Sequence, residues 1–228
     1  MKNNSYDNYA DWKGWLTEKK FFTVSSDEIN HFNGQFKRIN IDVKGKKILD
    51  FGYGPGNLLK YFSLNHADIS GVEIQESLID SGKKEGLNVY SSIDEIDSNQ
   101  KFDIITAIDV LEHMSNVQIQ DFVFKAEKLL KDDGVMIFRY PNGDSPASLP
   151  AQNGDYTHIN AIGMTKLNQL IEPFNLFIYY YDGEYVKPIF FPFNIIRKII
   201  RKLFIKLTGL GNHYFFYCNI VAVVKKQK

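Results

Sequence analysis

Short β-rich runs separated by stretches of helical periodicity recur along this chain, and that alternation constrains the fold more than any other feature. KKILDF (46–51), ADISGVEI (67–74), LNVYS (87–91), FDIITAI (102–108), GVMIFRY (134–140), FNLFIYYY (174–181) and HYFFYCNIVAVV (213–224) read as strands. Helical stretches lie near 57–64, 75–85, 116–131 and 163–172. Strands separated by helices pair side by side with crossovers on the sheet faces, so the expectation is an α/β protein with a doubly wound, mostly parallel sheet. Two long connections break the rhythm, 141–162 and 182–212, and long connections in a compact domain tend to carry function. Residues 1–43 read as a helical N-terminal cap, with Ser25 and Ser26 as N-cap candidates ahead of DEINHFNGQF, and 44–228 as the main domain.

Composition narrows the partners. Of 228 residues, 44% are hydrophobic, enough for a sizeable core. The 27 basic and 27 acidic residues cancel, so no global field draws the chain to nucleic acid. A single cysteine, Cys218, excludes an internal disulfide, and its apolar context predicts a buried thiol. The start MKNNSYDNYADW lacks a signal-like apolar stretch and no run of about 18 apolar residues occurs, which predicts a cytoplasmic protein without a spanning helix.

The stretch LDFGYGPGNL, residues 49–58, places Gly52, Gly54 and Gly56 between the first strand and its helix. Small residues there let backbone approach a ligand, and the helix N-terminus offers free N–H groups. A dinucleotide fingerprint would need glycine at 57, where Asn57 stands, and no GxxxxGK[ST] motif occurs. Glu73 follows the first glycine by about 20 residues, where a carboxylate can take both hydroxyls of a ribose. The pattern fits a nucleoside without pyrophosphate.

Asp50, the three glycines and Glu73, followed by FDIITAIDVLEHM and LLKDDGVMIF, resemble the class I S-adenosylmethionine-dependent methyltransferases over roughly 44–140. The resemblance implies a Rossmann-like, seven-stranded sheet whose last strand, HYFFYCNIVAVV, is antiparallel. It also implies S-adenosylmethionine as cofactor, with Asp50 and the glycine loop at its methionine part, Glu73 on the ribose, Ile108 and Asp109 at the amino-carboxylate end, and Ile74 and Ser92 completing the site. Two positions depart from the pattern: Tyr53 stands where a small residue is usual, and Ser92 where many members carry an acidic adenine contact. Glu112 and His113 are expected to be structural, because adjacent side chains diverge and no ligand spacing accompanies them, so no metal set is expected.

A sulfonium methyl needs alignment with its acceptor, and a base only when the acceptor is a poor nucleophile such as a hydroxyl. The insertion YPNGDSPASLPAQNGDYTHINAIG opens at the sheet edge where α/β ligands bind, so it should form a lid or substrate wall. Within it His158 lies three residues after Asp155, which makes His158 a base oriented by Asp155, or a residue that shapes the loop. Metal binding by His158 with Asp144 or Asp155 has no ligand spacing behind it.

The segment RYPNGDSPASLPAQNGDYTHINAIGMTKLNQLIEPFNL resembles, more loosely, methyltransferases of bacterial surface-glycan and O-antigen gene clusters, and is also similar to ubiquinone-type O-methyltransferases. These resemblances imply a hydroxyl acceptor: a glycan or glycolipid precursor in the first case, a lipidic phenol or other small molecule in the second. AIDV stands where an amide-methylating enzyme would carry NPPY or DPPY, which argues against N-methylation. The alternative to an enzyme is a module that binds the cofactor without catalysis. Lastly, FPFNIIRKIIRKLFIKLTGLG carries five basic and no acidic residues. As a helix over 193–207 it segregates apolar from basic residues, the pattern either of a segment lying on an anionic membrane at the inner face or of one packing on protein.

Overall fold

The computed structural model describes residues 13–14, 21–187, 191–209 and 216–227. Seven strands form one sheet in the order β3-β2-β1-β4-β5-β7-β6: β1 (Lys47–Phe51), β2 (Asp68–Val72), β3 (Asn88–Tyr90), β4 (Phe102–Ile108), β5 (Leu130–Pro141), β6 (Leu176–Gly183) and β7 (Asn219–Lys226). The first five run parallel, and β7 is antiparallel to both β5 and β6, as the family resemblance implies. The expected strand at 213–224 begins later, at Asn219, and 213–215 lie outside the described residues, as do 1–12 and 15–20 of the expected cap.

The helices are α1 (Ser26–Arg38), α2 (Asn57–Leu64), α3 (Glu76–Lys84), α4 (Asn116–Leu129), the short α5 (Leu149–Asn153), α6 (Met164–Ile171) and α7 (Phe191–Thr208). Ser25 caps α1: its hydroxyl accepts from the Glu28 amide while the Glu28 carboxylate accepts from the Ser25 amide, and Ser26 is the first helical residue. Ser115 and Gln118 form the same reciprocal cap on α4.

Period-two alternation sends each strand's apolar residues to two faces. Met136, Phe138 and Tyr140 of β5 join Ile220, Ala222 and Val224 of β7 in one apolar layer with Ile119, Phe122 and Val123 of α4. Val135, Ile137, Val221 and Val223 point into the other layer with Leu58 and Phe62 of α2. Phe36 and Ile39, at the end of α1, enter this second layer. Burying each such side chain contributes roughly 1.5–3 kcal/mol.

Strand order reverses between β1 and β4, and at such a switch point the carboxyl ends of the strands open a crevice. The registers Pro141↔Asn219 and Gly183↔Ile220 bring the end of β6 and the start of β7 to that same edge. The connection carrying α7 therefore leaves and re-enters the sheet beside the crevice. Cys218 lies one residue before β7 begins and is exposed, contrary to the buried thiol its apolar neighbours predict.

Candidate active site

The glycine loop takes conformations that other residues resist. Gly52, Gly54 and Gly56 have φ of 75°, 52° and 77°, and a Cβ on Gly52 would lie 2.5 Å from the Val110 side chain. The Gly52 amide donates to the Val72 carbonyl (2.8 Å), hinging the loop onto the end of β2. Glu73 follows directly and is buried. Its carboxylate accepts from the amides of Gly54 (3.0 Å), Ile74 (2.8 Å) and Gln75 (3.0 Å), so loop and carboxylate fix each other. Asp50 is buried on β1; burial pushes its carboxyl up to about 7, against the opposing effect of the Thr106 hydroxyl, which donates to Oδ1 at 2.6 Å, and with the nearby Glu73 charge adding to the rise.

Tyr53, the unusually large residue in this loop, packs down between β2 and α3. Its hydroxyl donates to the Leu78 carbonyl (3.0 Å), and its ring fills space that a Cβ on Gly71 would invade at 2.5 Å. A Cβ on Gly82 would lie 3.0 Å from the Tyr53 hydroxyl.

A cleft of about 910 Å³ opens at the carboxyl edge and gathers most of the expected cofactor residues: Asp50, Gly52, Gly54, Glu73, Ile74, Ser92, Ile108 and Asp109 line it, whereas Gly56 does not and sits against Phe22 at the start of α2. Ile74 and Ser92 sit on its open rim, where the Ser92 hydroxyl accepts from the Asp94 amide (3.2 Å). A loop with glycine at three alternate positions, facing a carboxylate already held by three amides, fits a nucleoside that carries a polar, flexible tail.

Asp109 directly follows β4 with φ of 56°, and its carboxylate forms a two-pronged pair with Arg139, one arm at 2.9 Å from Nε. Arg139 also reaches Glu184 at 2.7 Å, and Glu184 meets His31 at 3.1 Å and accepts from the Asn219 side chain at 2.8 Å. Burial alone would raise the Glu184 carboxyl, but His31, Arg139 and Asn219 together hold it down at about 2. Sequence reasoning missed this chain of charges, because its members come from α1, the turn after β4, β5, the connection after β6 and β7.

The acceptor side of the cleft corrects two expectations. Asp155 does not orient His158: its carboxylate lies 4.0 Å from His158 Nε2, beyond hydrogen-bond reach. It pairs with Lys13 at 3.0 Å and accepts from the amide (3.0 Å) and hydroxyl of Thr157. With its proton committed to Asp155, the Thr157 hydroxyl accepts from His113 Nδ1 (3.0 Å), which assigns Nε2 as the proton-accepting nitrogen of His113. Asp155 thus orients His113, not His158. Burial chiefly, then the neighbouring His158, holds the His113 imidazole below its ordinary value, so it stays neutral near pH 7.

Nor do Glu112 and His113 stand apart as structural residues. The His113 and His158 rings meet edge to face with centroids 4.6 Å apart, and potential ligand atoms of Glu112, His113 and His158 lie within 4.8 Å of one another. Backbone bonds from Ile159 (2.9 Å) and Asn160 (3.1 Å) to the Glu112 carbonyl clasp the insertion to the end of β4 and bring His158 there. Glu112 is 1% exposed; burial foremost, then the Asp109 charge, pushes its carboxyl up to about 8. Its Oε2 and His158 Nδ1 have no hydrogen-bond partner among the described residues. One carboxyl and two imidazoles so placed can hold a divalent cation or pass a proton. Asp144, the other metal candidate, instead accepts from the Met164 amide at the start of α6 (2.9 Å).

Comparison with known proteins places the fold and the family. The chain resembles curated "Ubiquinone biosynthesis O-methyltransferase" proteins: one from Coxiella burnetii is 32% identical over 129 residues, covering 53% of this chain and 54% of that protein. One from Rickettsia conorii is 25% identical over 123 residues, covering 50% and 42%. The chain thus spans about half the length of the curated relatives it matches. Among solved structures, an S-adenosylmethionine-dependent methyltransferase from Archaeoglobus fulgidus superposes with a TM-score of 0.63 at 19% identity, covering 87% of this chain and 94% of that one. Magnesium protoporphyrin IX methyltransferase from Synechocystis, solved with bound cofactor, gives 0.57 at 11% identity, covering 98% and 94%. The methyltransferase-domain family model matches residues 22–181, and the chain belongs to that family, with the Rossmann-like fold of the S-adenosylmethionine-dependent class.

Proposed function

We propose that this protein methylates a hydroxyl oxygen, with S-adenosylmethionine held by the glycine loop, Asp50, Glu73, Ile74, Ser92, Ile108 and Asp109. Bound there, the cofactor supplies a methyl group already activated by its sulfonium. The residues of this chain then have two tasks: to seat the acceptor and to take its proton. A neutral imidazole does the second well near pH 7, and a positioned base contributes roughly 100-fold to 10,000-fold. The observation that carries the reading is the imidazole pair His113 and His158 on the same cleft as the glycine loop, with His113 kept neutral and its tautomer assigned by Thr157. Glu112 is a second proton-holding group beside them.

For the acceptor, the polar lining supports a sugar hydroxyl of a surface-glycan or glycolipid precursor: Lys13, Glu28, His31, Arg139 and Asn219 line the same cleft as the imidazoles. The names of the curated relatives favour a second reading, a quinone-type phenol. Incubating the protein with isotopically labelled cofactor and either glycan precursors or catechols separates the two by which product gains the label. Cofactor binding without transfer to any hydroxyl acceptor would leave the non-catalytic module as the answer.

A further inference from the structure

We propose that α7 docks this protein on an anionic lipid surface through one apolar stripe, placing the mouth of the cleft beside the membrane. Ile196, Ile199, Ile200, Leu203 and Leu207 are 50–75% exposed. At 100° per residue they fall within an arc of about 100°, one continuous face of the helix. Scattered exposed apolar residues are ordinary on a protein surface, whereas five on one face mark an interaction site. The helix is tied down elsewhere: Phe204, at the flank of the stripe, packs edge to face on Phe216 of the returning limb, with ring centroids 5.3 Å apart.

Charge decides what covers the stripe. Lys202 and Lys206 are exposed and lie on one edge of the arc, and the sequence places Arg197, Lys198 and Arg201 on the remaining circumference. Residues 191–211 contain no acidic residue, in a chain whose overall charge is zero. An apolar face whose charged neighbours are all basic is complementary to acyl chains beneath anionic headgroups. The helix lies on such a surface rather than crossing it, since no helix among the described residues is long and apolar enough to span a membrane.

Topology gives the docking its consequence. Gly183 and Asn219, where this connection leaves and rejoins the sheet, sit at the carboxyl edge, and Asn219 lines the cleft. A membrane held by α7 would therefore meet the protein on the side where the acceptor enters. The docking goes beyond the reaction proposed above and does not depend on which hydroxyl is methylated.

Sedimentation with vesicles of phosphatidylglycerol and phosphatidylcholine tests it. The parent should pellet at low salt and be released in about 0.5 M salt, where charges are screened beyond about 4 Å. Lys202→Gln with Lys206→Gln should lower partitioning about thirty-fold, since each basic residue near lipid is worth roughly fivefold. Ile199→Glu with Leu203→Glu should abolish pelleting while cofactor affinity, read by calorimetry, stays unchanged, which separates docking from the function proposed for the cleft. The proposal is overturned if the parent stays in solution at low salt, if it pellets equally with pure phosphatidylcholine, or if the glutamate variant still pellets. It is equally overturned if the parent sediments as a dimer that those glutamates dissociate while vesicle binding is absent, because the stripe would then cover a second copy of the chain.

Discussion

The two sides of the cleft are built in opposite ways. The glycine-loop side is centred on one short run of chain: Asp50 on β1, the three glycines of the loop after it and Glu73 just past the neighbouring β2, and Glu73 reaches back only 19 residues to hold Gly54. The acceptor side is assembled from afar, with His113 and Thr157 44 residues apart and Arg139 and Glu184 45 apart. The comparison teaches that the half common to many reactions can be encoded locally, while the half that selects one reaction exists only once the chain has folded.

The sharpest way to break this comparison is to disable one half alone. His158→Ala and His113→Ala should each cut turnover by about two to four orders of magnitude with cofactor affinity nearly unchanged. If His158→Gln keeps most of the rate while His113→Gln does not, His158 shapes the loop and His113 is the base. Titration calorimetry alongside turnover measurements decides it; a parallel loss of cofactor binding would show that the halves are not separable.

Acid and base titrations of stability should tell the halves apart next. Glu184, held at about 2 in the folded state against an ordinary 4.5, contributes stability above pH 4.5 that is lost as pH falls towards 2, on the order of 3 kcal/mol. Asp50 has the opposite sign. Its carboxyl is raised from 3.8 to about 7, so the folded state prefers the protonated form, and stability declines as pH rises from about 4 through 7. Denaturant melts across pH should therefore show Glu184→Gln flattening the acid limb and Asp50→Asn flattening the limb between pH 4 and 7. The same limb affected by both variants would contradict these opposite assignments.

Glu73→Ala should weaken S-adenosylmethionine binding by about 2 kcal/mol or more and leave the amides of Gly54, Ile74 and Gln75 without their shared acceptor. Unchanged affinity by calorimetry would remove Glu73 from the cofactor site. The smallest expected effect belongs to Thr157→Val, which deletes the hydroxyl between Asp155 and His113 while keeping the shape. A loss of about 1 kcal/mol in transition-state stabilisation, with a displaced pH–rate profile, is expected. A turnover drop with an unmoved pH profile would mean that Thr157 only packs the loop.

How much of this was legible in the sequence follows the same division. The strands around Asp50 and Glu73 carry hydrophobic runs bounded by glycine, so the period and the turn chemistry point to one fold and one site. β4 matches its reading at both ends, Phe102–Ile108. The Asp155–His158 spacing suggested a contact, yet a loop has no fixed period, and the chain turns Asp155 towards Thr157 and Lys13 instead. Adjacency alone speaks against His113, because neighbouring side chains such as Glu112 diverge along the chain. No local rule reveals that a loop 45 residues later brings His158 against both. Cys218 misled for a related reason: hydrophobic neighbours report the strand that follows, not the turn that precedes it.

Tyr53 carries a consequence for how such a loop can be inherited. Its ring occupies volume left vacant at Gly71 and Gly82, and its hydroxyl closes on α3, so three positions on three elements are a single steric unit. Recombination with a relative at any breakpoint between residues 54 and 70 would divide that unit. A side chain arriving at 71 would press on the tyrosine ring, and a small residue arriving at 53 would leave a void under the loop. The glycines of this loop are thus portable between proteins only together with two others that do not line the cleft.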